Sequence, residues 1–107
     1  MNARAIYVDF EKYTDGDSSF KVELINLMID NLKELHEAVT VSLMCRDYST
    51  YRKTCHKVNS TITMLNDPEL LAVVEDIKKD PDNKTKSSAL LHLCATIVES
   101  LSILNRN

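Results

Sequence analysis

The stretch FKVELINLMIDNLKELHEAVTVSL, residues 20–43, decides the fold class of this chain. Its apolar residues recur three and four positions apart, and together they cover about half of the helix circumference. This pattern predicts one long amphipathic helix whose broad apolar face must contact more than one neighbouring element. The apolar positions are Phe20, Leu24, Ile25, Leu27, Met28, Ile29, Leu32, Leu35, Val39 and Leu43.

Start and stop residues predict the helices on either side. The sequence YVDFEKYTDGD, residues 7–17, predicts a short helix closed by Asp15 and Gly16, after which Asp17 or Ser18 caps the long helix. The long helix is expected to end near Arg46 and Asp47, and the helical period then resumes over residues 49–65.

Two more helices are predicted after residue 65. Asp67 is a suitable cap, and Pro68 fits the first helical position, where its missing N–H is harmless. A polar loop around the second proline precedes the last helix, whose apolar seam is spaced four and three apart. The seam consists of Leu90, Cys94, Ile97, Leu101 and Leu104.

Composition supports an all-α fold. The chain has 107 residues, of which 44% are hydrophobic, with one Gly and two Pro, too few turn-formers for an all-β protein. We expect a single domain over residues 1–107, an antiparallel up-down four-helix bundle preceded by a short N-terminal helix. The predicted core includes Leu24, Leu27, Leu35, Cys55, Ile62, Val73, Leu90 and Ile97.

Charge and cysteine content exclude several classes of protein. A net charge of −3 gives no global attraction to nucleic acid or to an anionic membrane. We find neither an apolar run long enough to span a bilayer nor the apolar core of a signal peptide, and therefore expect a cytoplasmic protein. The three cysteines lack CxxC spacing, which argues against a disulfide framework or a metal site and favours buried apolar fillers.

The stretch RDYSTYRKTCHKVNSTITML, residues 46–65, places His56 on the polar side of its helix. On a helical wheel the apolar residues of this stretch centre about 140° away from His56, so the imidazole is expected to face solvent. Residues three and four positions apart are neighbours on a helix surface. By this rule the neighbours of His56 are Arg52 and Lys53 one turn before it and Asn59 and Ser60 one turn after it, with Thr63 two turns after it. Lys57 directly follows His56 in the sequence.

This arrangement suits an anion, because four cations outnumber the single anion Asp47 between residues 46 and 57 of an otherwise acidic chain. A histidine among lysines is also what an ordinary solvated helix face contains. The other two histidines, His36 and His92, are expected to have structural or solvated roles, and they lack the paired spacing of a zinc site.

The chain resembles the histidine-containing phosphotransfer domains of bacterial two-component phosphorelays. The resemblance covers most of the chain and rests on DGDSSFKVELINLMIDNLKELHEAV for the long helix, DYSTYRKTCHKV for the histidine helix, and the restart MLNDPEL. A small residue, Cys55, precedes the histidine, and the apolar Val58 follows two positions later. Ser60 fits the family pattern, whereas Asn59 stands where the family has lysine, and Asn66 replaces a glycine.

The resemblance implies that His56 accepts a phosphoryl group from the aspartate of a receiver domain and passes it to another receiver. It implies a cytoplasmic monomer without cofactor or kinase activity, whose partners are response-regulator receiver domains, including that of a hybrid histidine kinase. Arg52, Lys53, Lys57, Asn59, Ser60 and Thr63 would then stabilise the phosphoryl group or contact the partner, with Lys53 substituting for the absent lysine. Two alternatives remain open: a non-phosphorylated bundle that binds receivers, and a bundle unrelated to signalling.

Overall fold

The computed structural model describes residues 4–106, with side chains to residue 105, and these residues form six α-helices and no strand. Buried side chains from the five longer helices form one hydrophobic cluster. The helices are α1 (Phe10–Thr14), α2 (Ser18–Cys45), α3 (Tyr48–Lys57), α4 (Asn59–Leu65), α5 (Pro68–Lys79) and α6 (Lys84–Arg106).

The start of α2 is set by local backbone chemistry, as predicted. Asp15 ends α1 in the left-handed conformation with φ 51°, and Gly16 follows with φ 77°, which glycine adopts at little cost. The Asp17 carboxylate then caps α2 by accepting a hydrogen bond from the Phe20 backbone N–H at 3.0 Å. These residues form the connection between α1 and α2.

The apolar arc of α2 is narrower than the sequence pattern suggests. Most of its predicted apolar positions are buried, and α2 packs against both α6 and α3. Leu27, however, is 54% exposed, and the prediction that it belongs to the core is wrong. Phe20 and Leu43, the first and last residues of the predicted apolar stretch, are exposed as well. The other seven residues of the predicted core are buried.

The segment over residues 49–65 forms two helices rather than the single helix predicted. Val58 separates α3 from α4 with φ −98° and ψ 12°, away from the ideal helical values of about −63° and −42°. Its N–H still donates to the Thr54 carbonyl at 2.9 Å, and its carbonyl accepts from the Ile62 N–H at 3.1 Å. The break is therefore a local distortion at a buried residue, without the proline or glycine that would have predicted it.

The turn between α4 and α5 is the most strongly specified connection. Asn66 adopts the left-handed conformation with φ 50°, as expected for a residue in the usual place of glycine. The buried Asp67 carboxylate accepts hydrogen bonds from the N–H groups of Glu69 and Leu70, the cap predicted from the sequence. It also accepts two hydrogen bonds from the Arg4 guanidinium, at 2.7 and 2.9 Å.

Helix α6 carries the predicted seam, and the first four seam residues are buried while Leu104 is partly buried. Contrary to the sequence-based expectation, Lys84–Asn105 is long and apolar enough to cross a membrane, with a mean hydropathy of 1.5. Length and composition alone are weak evidence, since core helices of soluble proteins have the same properties. Cys55 and Cys94 are buried fillers as expected, whereas Cys45, at the end of α2, is exposed.

Replacing Asp67 tests how much this turn stabilises the fold. We expect Asp67→Ala to lower the free energy of unfolding by about 2–3 kcal/mol at neutral pH, because it removes a helix cap and charge-assisted hydrogen bonds. Asp67→Asn, which retains one oxygen for the cap, should cost less. Urea unfolding of the three proteins measures both differences.

The pH dependence of the free energy of unfolding tests whether the charge of Asp67 causes the stabilisation. Burial of the Asp67 carboxyl disfavours its charge, but hydrogen bonds from Arg4 and from the Leu70 N–H outweigh burial and lower its pKa below 3.8. The stabilisation should therefore be complete above about pH 4 and be lost as the pH falls through the folded-state pKa. A gap between wild type and Asp67→Asn that stayed constant down to about pH 2 would contradict this role for the charge.

Candidate functional site

His56 is exposed on α3, one residue before the last residue of that helix. On the opposite side of the helix Tyr51, Cys55 and Val58 are 2% exposed or less. The helical wheel therefore predicted the direction of the imidazole correctly.

A buried hydrogen bond fixes how α3 is rotated. The Tyr51 hydroxyl donates to the Val74 carbonyl of α5 at 3.0 Å, and burial raises the pKa of this phenol well above 10. Burial likewise raises the pKa of the adjacent Cys55 thiol, which stays protonated and is a poor nucleophile. The His56 imidazole, on the outer side of α3, is accessible to solvent.

The start of α3 is held by Asp47. Its carboxylate accepts hydrogen bonds from the Thr50 hydroxyl and from the Thr50 backbone N–H, the latter at 3.1 Å, and these bonds lower its pKa. Tyr48, the first residue of α3, donates its hydroxyl hydrogen bond to Asp82 in the loop before α6. The helix that carries His56 is thus anchored at its first turn as well as at Tyr51.

Arg52, Lys53, His56 and Lys57 form an exposed basic strip along α3. The three cations differ in their partners. Lys57 Nζ lies 2.7 Å from Glu34 Oε1 on α2, and Arg52 donates a long hydrogen bond of 3.5 Å to the Lys78 carbonyl on α5. Lys53 forms no ion pair with any residue between 4 and 105. Of the cations beside His56, its ammonium is therefore the one most available to bind an anion.

The remaining predicted site residues lie beyond the break at Val58. Asn59, Ser60 and Thr63 belong to α4, and all three are exposed. The changed backbone angles at Val58 turn them relative to an ideal continuation of α3. All seven predicted site residues thus face solvent, four along one helix and three along the next.

An apolar residue that sequence reasoning placed in the core lies near this site. Asn31 of α2 donates a hydrogen bond to the Thr61 hydroxyl of α4 at 2.7 Å, and Glu34, one turn later, holds Lys57. Leu27 lies one turn before Asn31 on the same side of α2, and it is 54% exposed. The basic strip and an uncovered leucine therefore border the same junction of α2 with α3 and α4.

The other two histidines lie on different helices. His36 is half-buried on α2, where it lines a groove against α6, and His92 is exposed on α6. His36 has one cation, Lys33, at helical spacing and His92 has none, whereas His56 has both Arg52 and Lys53.

Neither a family model, nor a curated protein, nor a solved structure matches this chain. The resemblance to phosphotransfer domains therefore rests on the helical pattern and on the residues around His56.

The exposure of His56 predicts that its ring contributes little to stability. We expect His56→Gln to change the free energy of unfolding by less than about 0.5 kcal/mol. Val58→Ala, two residues away but buried, should cost about 2 kcal/mol through lost apolar contacts and the resulting cavity. Chemical denaturation measures the free energy of unfolding of both variants. A large decrease for His56→Gln would mean that the ring packs against the protein.

Proposed function

We propose that this protein is a phosphorelay intermediate that accepts a phosphoryl group on His56 from the aspartate of one receiver domain and passes it to another. The observation that carries the proposal is an exposed imidazole on an anchored helix, flanked by three exposed cations. Phosphoryl transfer needs little more from the acceptor than access and positive charge near the phosphoryl oxygens.

The proposed architecture is an antiparallel four-helix bundle preceded by the short helix α1. In it, α3 and α4 together form one broken helix, and α2, α5 and α6 are the other three. The pairs Glu34–Lys57 and Asn31–Thr61 support an antiparallel path of α2 and α3–α4. For α2 and α6 the same path is supported by the hydrogen bond between Asn26 and Asn105 together with the groove that His36 and Cys94 both line.

The transfer step requires only an imidazole nitrogen with a free electron pair. A neutral imidazole is a competent nucleophile, because its unprotonated ring nitrogen carries a free electron pair. Its nitrogen attacks the phosphorus of the receiver's phosphoaspartate in line, an N–P bond forms, and the P–O bond to the aspartate breaks. The carboxylate leaves as an anion, the partner supplies its own metal, and reversal of the step delivers the phosphoryl group to a second receiver.

The cations of the basic strip stabilise the phosphoryl oxygens during transfer. In the family that the chain resembles, a lysine one turn after the histidine supplies this charge, and here Asn59 offers an amide dipole instead. Lys53, one turn before His56, supplies the missing charge in our proposal, since Lys57 is already paired with Glu34.

The proposed partners are receiver domains of response regulators, including one belonging to a hybrid histidine kinase. The exposed Leu27 near the basic strip supports docking of a partner through a mixed apolar and basic surface. In this proposal the protein acts in the cytoplasm as a monomer, without kinase activity of its own, and contacts neither nucleic acid nor a membrane.

A second candidate function uses the same surface without chemistry. Asn59 in place of the lysine favours a degenerate module that regulates signalling by occupying receiver domains. Incubation with a phosphorylated receiver distinguishes the possibilities. Acid-labile phosphate on this chain supports the relay, binding without transfer supports the degenerate module, and absence of both leaves a helical protein unrelated to phosphorelays.

Replacing each histidine in turn identifies the acceptor. We expect His56→Gln to abolish phosphoryl acceptance from a labelled receiver while the helical circular-dichroism spectrum stays unchanged. His36→Gln and His92→Gln, the matched controls, should still accept. Label that persisted on His56→Gln would show that another residue is the acceptor.

The compensation by Lys53 can be measured in a double-mutant cycle. Asn59→Lys should speed transfer, and Lys53→Ala should slow it by about three- to tenfold, because an exposed, screened charge contributes less than a buried donor. Receiver affinity should change less than rate in both variants.

The two substitutions should also be non-additive, since a lysine at position 59 makes Lys53 partly redundant. Rapid-quench measurements on the four combinations give the coupling. If Lys53→Ala left the rate unchanged in both backgrounds, Lys53 would be an ordinary solvated lysine.

A further inference from the structure

A groove of about 340 Å³ runs between α2 and α6. None of the residues that line it belongs to α3 or α4, the helices that carry the candidate phosphoacceptor site. Its volume lies within the range of about 300–1,000 Å³ that is usual for small-molecule pockets. The lining residues are Leu32, Lys33, His36, Cys94, Ala95 and Val98.

The groove exists because α6 has a small side chain where its neighbours are large. Leu91, Ala95 and Val98 follow one another at helical spacing, and Ala95 in the middle leaves space against α2. Leu32 and Cys94, both 1% exposed, lie beneath this space. Burial raises the pKa of the Cys94 thiol to about 12, so it stays protonated and acts as part of an apolar floor.

Two nitrogen groups on α2 border this apolar floor. Lys33 is exposed and His36 is half-buried, and neither side chain forms an ion pair or a hydrogen bond with another residue between 4 and 105. The carboxylates one turn from Lys33 on α2, Asp30 and Glu37, form no ion pair with it, and the adjacent Glu34 pairs with Lys57 instead. Glu99, one turn beyond Ala95 on α6, pairs with neither Lys33 nor His36. The rim thus offers an unpaired ammonium and an imidazole that donates a hydrogen bond in either protonation state.

We propose that the groove between α2 and α6 binds a small carboxylic acid with an apolar body. The body would lie on Leu32, Cys94, Ala95 and Val98, and its carboxylate would accept hydrogen bonds from Lys33 and His36 at the rim. The groove favours an anionic ligand because Lys33 and His36 line it and none of its lining residues is a carboxylate. An apolar amine would therefore meet like charge at Lys33 without an anionic partner, and an apolar alcohol would be buried without forming an ion pair.

This binding does not depend on the proposed phosphorelay function. The lining residues belong to α2 and α6, and the proposal needs no phosphoryl group on His56. Failure of one proposal leaves the other standing, because ligand binding and phosphoryl acceptance are measured separately.

The experiment titrates the full chain with octanoate below its micellar concentration and follows the methyl and amide NMR signals. We expect saturable shifts confined to the groove, first at Ala95 and Val98. Ala95→Leu, which fills the groove at an exposed position, should abolish them. Ala89→Leu, the same substitution at an exposed position of α6 outside the groove, should leave them unchanged.

The charge of the ligand is tested with 1-octanol and octylamine. Lys33→Ala should weaken octanoate binding about fivefold, the effect of an exposed charge pair, and leave octanol binding unchanged. Lys79→Ala, which removes an exposed lysine from α5, is the matched control and should weaken neither ligand. His36→Gln should weaken octanoate less than Lys33→Ala does, since glutamine can still donate a hydrogen bond.

Three results would overturn the proposal. They are shifts that do not saturate at millimolar octanoate, shifts that survive Ala95→Leu, and equal affinity for octanoate and octylamine. The last result would mean that the groove is an apolar surface without selectivity for a carboxylate.

Discussion

The packing of α2 on two sides is the constraint on which the rest of the structure depends. Its apolar arc contacts α6 on one side and α3 on the other. Tyr51, Cys55 and Val58 are buried against this core. Because successive residues of a helix are about 100° apart around its axis, His56, the residue after Cys55, faces outward. The exposure of His56 is therefore a consequence of core packing and needs no separate stabilising interaction.

Features that depend on neighbouring residues could be predicted from the sequence. Asp17 and Asp67 cap helices, and Asn66 adopts a left-handed conformation, because each makes its contacts within a few positions along the chain. The outward direction of His56 was predictable for the same reason, since helical spacing alone determines it. The helical class of the fold follows from the same local patterns.

Features that depend on distant residues could not be predicted. Leu27 has the spacing of a core residue, but in the folded chain no neighbouring helix among residues 4–106 buries it, and it is 54% exposed. The break at Val58 has no glycine or proline to indicate it, and Arg4 reaches Asp67 across 63 positions. In the candidate site, the ion pair between Lys57 and Glu34 could not be predicted from the sequence either, because the two residues are on different helices. This ion pair distinguishes Lys57 from Lys53, which has no such partner among residues 4–105 and stays free beside His56.

The helix α2 borders both the candidate phosphoacceptor site and the groove, which raises the question of whether the two would communicate. Glu34 and Asn31 face α3 and α4, while Lys33 and His36 line the groove against α6. Coupling between sites requires an element with two discrete arrangements whose equilibrium both sites bias. α2 is a continuous helix of 28 residues, capped by Asp17 at its start, and within it the structure offers no such alternative. If the proposed relay operates, a carboxylate bound in the groove should therefore leave the rate of phosphoryl transfer to His56 unchanged, because the continuous helix between them does not convert occupancy of the groove into movement of the basic strip.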